Sequence, residues 1–145
     1  MIFVDTNIFV YAADSTSKFQ NDAKKIIEKF INKKLEGVIS PQILFEFYSL
    51  ITNKKRIKNF HTQAEAINFI KRLINDGNFK IIYPNTESVS MVVNILESKV
   101  VASLDIFDAA IVAAMLSNEV KTIYTANDKD FKNLSSEIEV INPFA

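Results

Sequence analysis

Short apolar runs alternate with longer amphipathic stretches along the chain, and that alternation restricts the fold to an α/β architecture whose mainly parallel sheet carries helices on both faces. Ile2-Phe3-Val4 opens the series as a buried strand, with Asp5 at its last position and Thr6 and Asn7 behind it. Phe19, Ala23, Ile26, Ile27, Phe30 and Ile31 recur at helical spacing, and Gly37 is the expected stop of that helix. Val38-Ile39-Ser40 reads as a strand, Ser40-Pro41 as an N-cap with proline at the first helical position, and the helix so opened runs to about Thr52. The next helix spans about Thr62 to Asn75, ended by Asp76-Gly77, and Lys80-Ile81-Ile82-Tyr83 is a strand broken by Pro84. Residues 86–98 and 105–118 read as helices, Thr122-Ile123-Tyr124 as a strand and Ile138-Glu139-Val140-Ile141 as the last strand. No repeat or linker interrupts the pattern, so residues 1–145 are expected to form one domain.

The residue inventory narrows the chemistry. With no cysteine, disulfides, thiolate zinc sites and cysteine nucleophiles are excluded. The single histidine, His61, leaves no room for a histidine-rich metal site and reads as a surface residue. Gly37 and Gly77 are the only glycines, too few for a Walker loop or a dinucleotide fingerprint. Carboxylates, hydroxyls, amides and cations remain. Seventeen basic and seventeen acidic residues cancel, so no global field draws the chain to nucleic acid. The densest cationic stretch, Lys54-Lys55-Arg56-Ile57-Lys58, offers local contacts to a polyanion. No apolar segment is long enough for a membrane span, and Met1 to Val4 is too short for a signal peptide, which places the chain in the cytoplasm as an expectation.

Acids stand where core residues belong. Glu46 is the only charge in Pro41-Gln42-Ile43-Leu44-Phe45-Glu46-Phe47-Tyr48-Ser49-Leu50-Ile51, a helix apolar around most of its circumference. An unpaired carboxylate buried there costs several kcal/mol by rough estimate unless it is neutralised, paired or bound to metal. Asp105 and Asp108 precede an almost wholly apolar helix; Asp105 suits the N-cap, while Asp108 sits a turn inside and reads as functional. A fourth cluster, Tyr124-Thr125-Ala126-Asn127-Asp128-Lys129-Asp130-Phe131, follows a strand and opens on the same sheet edge as Asp5. One of Asn127, Asp128 or Asp130 joins the other acids there. Such a set, without histidine or cysteine, describes a site for a hard cation, Mg²⁺ or Mn²⁺. A cation is also what lets a cluster of carboxylates accept a polyanionic substrate.

These segments make the chain resemble the PIN-domain proteins, in particular the VapC-like toxin ribonucleases of prokaryotic toxin–antitoxin pairs. The resemblance runs from Ile2-Phe3-Val4-Asp5-Thr6-Asn7, through Ser40-Pro41-Gln42-Ile43-Leu44-Phe45-Glu46-Phe47 and Phe107-Asp108-Ala109-Ala110-Ile111-Val112-Ala113-Ala114, to the cluster ending at Phe131. It implies a three-layer α/β/α sandwich with a central parallel sheet, Mg²⁺- or Mn²⁺-dependent endoribonuclease activity, a homodimer, and inhibition by a small antitoxin protein. Asp5, Glu46 and Asp108 match the family's three best-kept acids as metal-holding and catalytic residues. Counting from Thr125, Asn127 takes the fourth position; counting back from Phe131, Asp130 takes it, with Asp128 adjacent. Thr6 and Asn7 match the polar pair after the first acid and, with Thr125, would orient it.

The expected reaction is hydrolysis of RNA phosphodiester bonds, with Glu46 or the fourth-position acid placing the attacking water or taking its proton. Lys54, Lys55, Arg56 and Lys58 are the expected RNA contacts. Twelve Phe and four Tyr fall mostly at core spacing, and no stacking platform for bases is visible. Two other readings compete. One is a catalytically inert binding module of the same fold; the other is a phosphatase using Asp5 as nucleophile, against which Asn7 stands where a second acid is wanted.

Overall fold

The computed structural model describes residues Met1–Ala145, the side chain of Asp76 apart. Five strands, β1 (Ile2–Val4), β2 (Gly37–Ile39), β3 (Phe79–Ile81), β4 (Thr122–Tyr124) and β5 (Glu139–Ile141), form one sheet in the order β3-β2-β1-β4-β5. Every pairing is parallel. The intervening helices are α1 (Thr6–Ala13), α2 (Gln20–Ile31), α3 (Pro41–Ile51), α4 (Gln63–Ile74), α5 (Thr86–Ser98), α6 (Ile106–Ser117) and α7 (Asp128–Lys132).

Parallel strands need crossovers, and right-handed crossovers fix the layers. Moving outward from β1 to β2 and β3 places α1 to α4 on one face; α1 packs on α2 and α3, and α3 on α4. Returning across the sheet to β4 and β5 places α5 to α7 on the other face, where α6 packs on both α5 and α7. The result is the α/β/α sandwich. β1 is the central strand, and the chain reverses its direction of travel between β1 and β4.

Aromatic rings weld the first helical layer to the sheet. Phe9 of α1 meets Phe79 of β3 at 5.3 Å between centroids and Phe47 of α3 at 6.2 Å, and Phe30 of α2 meets Phe79 at 5.3 Å. Gly37, the first residue of β2, is required by that packing. A Cβ there would stand 2.5 Å from the Phe79 ring and 2.8 Å from Phe30, both in the core. Gly37→Ala is therefore expected to lower stability by about 1–3 kcal/mol, the usual cost of overpacking, seen as a lower Tm in thermal unfolding.

Several boundaries differ from the sequence expectation. β1 ends at Val4, and Asp5 is the N-cap of α1, a helix that the apolar run Ile8-Phe9-Val10 hid by reading equally well as strand. α2 stops at Ile31, well before Gly37; its last turn closes through Lys33 in the left-handed region, φ 57°. Ser40 holds the N-cap position of α3 without a side-chain capping bond. α4 has the capping box of Thr62 and Glu65 and gives way to a 3-10 turn, Asn75–Gly77, with Gly77 at φ 65°. β3 lies one residue earlier than expected and is shorter, and Asp128–Lys132 is helix rather than loop. Asp105 ends a 3-10 turn, Ser103–Asp105, and holds the N-cap position of α6 as expected, but its carboxylate accepts no capping N–H. His61 is not a free surface residue either: its ring nitrogens face the Ala13 carbonyl at 2.7 Å and Glu65 at 3.1 Å, pinning the end of α1 to the start of α4. Among the described residues no helix is long and apolar enough to cross a membrane.

Candidate active site

In an open parallel sheet the crevice outside the carboxyl ends of the strands, where the strand order reverses, is the natural place for a site. Here that point lies between β1 and β4. The Asp5 amide donates to the Tyr124 carbonyl at 3.0 Å, and the Thr125 amide to the Ile141 carbonyl at 3.0 Å, so pairing continues one residue past the strands. Asp5 and Thr125 are thereby set side by side, both buried.

Three donors fix the Asp5 carboxylate. Oδ1 accepts the Thr6 backbone N–H at 2.7 Å, while Oδ2 accepts Thr125 Oγ1 at 2.7 Å and Asn7 Nδ2 at 2.9 Å. A carboxylate has about four acceptor sites, so roughly one remains for another partner. Burial pushes the Asp5 carboxyl above the usual range, the Thr125 and Thr6 hydrogen bonds oppose the rise, and the charge of Glu46 adds to it. Asn7 is a hub: its Nδ2 also lies 3.2 Å from Thr125 Oγ1, and its Oδ1 accepts the Ala126 N–H at 3.1 Å. With both oxygens engaged and Asn7 donating from where a second acid is wanted, Asp5 is poorly arranged to attack phosphorus itself.

Thr125 Oγ1 also accepts the Asn127 N–H at 3.0 Å, so one hydroxyl joins β4, its following loop and the first acid. Thr125→Val removes it while keeping the shape. The expected result is a loss of about 1–3 kcal/mol, the cost of stranding buried donors, measurable by chemical denaturation.

Glu46 reaches the same crevice from the middle of α3. Its Oε2 accepts Thr6 Oγ1 at 2.8 Å, and its Oε1 accepts Gln42 Nε2 at 2.8 Å. The sequence reading of Glu46 as an acid on a buried helix holds in part. The flanking Ile43, Leu44 and Phe47 are core, whereas Phe45 is 71% exposed. Phe107, beside Asp108, is 55% exposed. These two rings lie outside the core that their spacing suggested.

Asp108, in the first turn of α6, is perturbed in the same direction as Asp5. Burial pushes its carboxyl up to about 6, and the charges of Asp5, Asp130, Asp105 and Glu46 add to the rise. Asp108 thus lies within electrostatic reach of Asp5, Asp130, Asp105 and Glu46, and Asp5 within reach of Glu46. Asp105, read from sequence as a cap, belongs to the same electrostatic field. Among the described residues, no lysine or arginine pairs with Asp5, Glu46, Asp108 or Asp130.

The three candidates after β4 separate. Asp128 is turned elsewhere: its Oδ2 accepts Lys132 Nζ at 2.9 Å and its Oδ1 accepts Asn142 Nδ2 at 3.1 Å, which hold its carboxyl below the usual range. Asp130 is exposed and acts on Asp108. Asn127 is the N-cap residue of α7, exposed, without a side-chain capping bond. Lys54, Lys55, Arg56 and Lys58 are exposed on the segment after α3, which buried Ile57 anchors and which Asn59 Nδ2 ties to Ser15 Oγ at 2.7 Å. This segment follows the far end of the helix that carries Glu46, and its cations are not gathered with the acids.

Among the described residues, no three acidic or histidine side chains converge tightly enough to hold a metal ion as they stand. The donor chemistry nonetheless suits a hard cation, because the set is all oxygen and lacks a cationic partner. Mg²⁺ in particular keeps several waters and takes one or two carboxylates.

A sequence model of the family described as PIN domain matches residues 2–137. A search of curated proteins gave no match. Solved structures share the fold at low identity. The crystal structure of FitAcB from Neisseria gonorrhoeae superposes with a TM-score of 0.68 at 16% identity, covering 99% of each chain. VapC20 of Mycobacterium tuberculosis, a toxin that cleaves the sarcin–ricin loop, gives 0.65 at 14% identity, over 96% of this chain and 99% of that one. VapBC2 from Rickettsia felis, bound to a DNA fragment from its promoter, gives 0.65 at 16% identity over 98% of each.

Proposed function

The chain belongs to the PIN-domain family, and from that premise we propose that it is a Mg²⁺- or Mn²⁺-dependent endoribonuclease, the toxin of a toxin–antitoxin pair. One observation carries the reading: the carboxylates of Asp5, Glu46 and Asp130 act on that of Asp108 at the crevice between β1 and β4, no cationic side chain among the described residues pairs with any of the four, and burial together with those charges pushes Asp108 up to about 6. Acids held together at such a cost are usually held for chemistry.

Asp5, Glu46 and Asp108 would hold the cation, with Asp130 or Asn127 completing the set. Asp128 is committed to Lys132 and Asn142 and is the weakest of the three candidates. When bound, the cation supplies positive charge to a phosphodiester oxygen and acidifies a water. The protein's share is placement. Thr6, Asn7 and Thr125 fix the rotamer of Asp5 and leave about one of its acceptor sites unused. Glu46, reached by Thr6 and Gln42, or Asp130, nearer solvent, places the attacking water and takes its proton.

The proposed partners are an RNA substrate, a small antitoxin and a second copy of the chain. The outer face of α5 supports the last: Val89, Val93 and Leu96 are exposed at helical spacing, an apolar stripe that a soluble monomer seldom shows to water. Lys54, Lys55, Arg56 and Lys58, exposed on the segment after α3, remain proposed RNA contacts, reaching the strand away from the scissile phosphate.

The test is incubation of the purified protein with RNA in Mn²⁺, in Mg²⁺ and in EDTA. The reading expects internal cleavage with either cation and none in EDTA. Intact RNA in every condition, with no uptake of Mn²⁺ by calorimetry, would leave the inert module as the better account.

A further inference from the structure

We propose that Gln42 is a positioning residue that sets the distance between the Glu46 and Asp108 carboxylates, an inference that rests on the reading of those acids as cation-holding. Gln42 lies one turn before Glu46 on α3 and donates from Nε2 to Glu46 Oε1 at 2.8 Å. The same amide nitrogen lies 3.4 Å from the Phe107 carbonyl, the residue before Asp108. Both neighbours are acceptors only, so chemistry fixes the amide with its NH₂ toward them and its oxygen away.

The position of this amide gives it leverage. α3 belongs to the helical layer that follows β1 and β2, and α6 to the layer on the opposite face; the crevice opens between them. Gln42 spans that opening. On one side it grips Glu46, whose other oxygen is already held by Thr6 Oγ1 at 2.8 Å. On the other it reaches the backbone that carries Asp108 into the crevice. Few other side chains suit the task. Glutamate would set a third carboxylate against Glu46, asparagine is one methylene short, and methionine keeps the length but donates nothing. Groups that orient metal-holding carboxylates typically change metal affinity or activity by about 10–100-fold when lost, although they never touch the ion.

Gln42→Met keeps the volume and removes both donors. Calorimetric titration of the metal-free protein with Mn²⁺ is expected to show affinity reduced by about tenfold or more, while the metal-free Tm stays within about 2 °C of wild type. On RNA, kcat should fall at saturating substrate with KM for RNA little changed, since Gln42 holds a carboxylate and not the nucleic acid. Wild-type Mn²⁺ affinity and kcat in Gln42→Met overturn the proposal. A further measurement needs no metal. The side-chain amide resonances of Gln42, read by NMR in metal-free protein, should shift when Glu46→Met removes their acceptor; unchanged resonances likewise overturn it. Should the wild type take up no Mn²⁺ at all, the nuclease reading fails, and the amide resonances still decide whether Gln42 holds Glu46.

Discussion

Asp5→Asn is expected to reduce RNA cleavage by at least about 100-fold while leaving the protein folded. Electrostatic work by a bound cation at a phosphoryl centre is worth several kcal/mol, and each 1.36 kcal/mol is tenfold in rate. The substitution is nearly isosteric, yet its consequences for hydrogen bonding are specific. An asparagine oxygen can still accept the Thr6 N–H, but its NH₂ would then face Asn7 Nδ2 and Thr125 Oγ1, which donate to the aspartate at 2.9 and 2.7 Å. Thr125 can turn its hydroxyl to accept; the Asn7 amide cannot turn without giving up the Ala126 N–H. The variant therefore loses the charge that holds the cation and disturbs its nearest support. Initial cleavage rates at saturating Mn²⁺, with circular dichroism to establish the fold, check this. Cleavage at more than a tenth of the wild-type rate would exclude Asp5 from the site.

Asp108→Asn should separate activity from stability in opposite directions. Cleavage is expected to fall by about 100-fold or more, as for Asp5, whereas the metal-free protein should gain about 3 °C in Tm. The sign follows from linkage. A carboxyl raised to about 6 in the folded chain and ordinary in the unfolded one makes the folded state bind more protons between about pH 4 and 6. Stability from this group is therefore full at low pH and falls as pH rises to about 6, above which the unfavourable charge is fully present. Asparagine is neutral throughout, so the Tm gap between variant and wild type in EDTA should be widest near pH 7–8 and close as pH falls toward 4. The expected size stays near 1 kcal/mol, because Asp108 is partly exposed and water screens the repulsion. A Tm gap independent of pH would mean that the Asp108 carboxyl is not raised in the folded chain by burial and the neighbouring charges. In the wild type, protonation should weaken Mn²⁺ binding below about pH 6, at a higher pH than an ordinary carboxylate would.

The elements most legible in the sequence were those whose ends carry their own chemistry. Pro41 marked the start of α3, the strand Thr122–Tyr124 and the helix over 86–98 matched throughout, and the helix expected from about Thr62 proved to begin with a capping box that was not read. α1 was lost because Ile8-Phe9-Val10 is buried on more than one side and carries no periodic polar face. The acids showed through for the converse reason: Glu46 and Asp108 interrupt runs that have no other use for charge. What the sequence could not resolve was direction. Asp128, Asp130 and Asn127 are neighbours in the chain, and only the turn of α7 sends Asp128 to Lys132 and Asn142 while the charge of Asp130 acts on Asp108. Gln42 was passed over because an amide one turn before an acid on an apolar helix looks like ordinary solvation until its second neighbour, on another helix, is known.

The central place of β1 has a kinetic consequence. Asp5 and the Thr125 hydroxyl that holds it are 120 residues apart, and Asn7 and Ala126 are 119 apart. Contacts that distant in sequence form late, after the local helices and the β1–β2 pairing. On a ribosome adding about 5–20 residues per second, the crevice has no second wall for several seconds after Asp5 is made. A nascent chain thus carries its acids for most of its synthesis without the arrangement that would let them act together, and the insertion of β4 beside β1 is the event that assembles them.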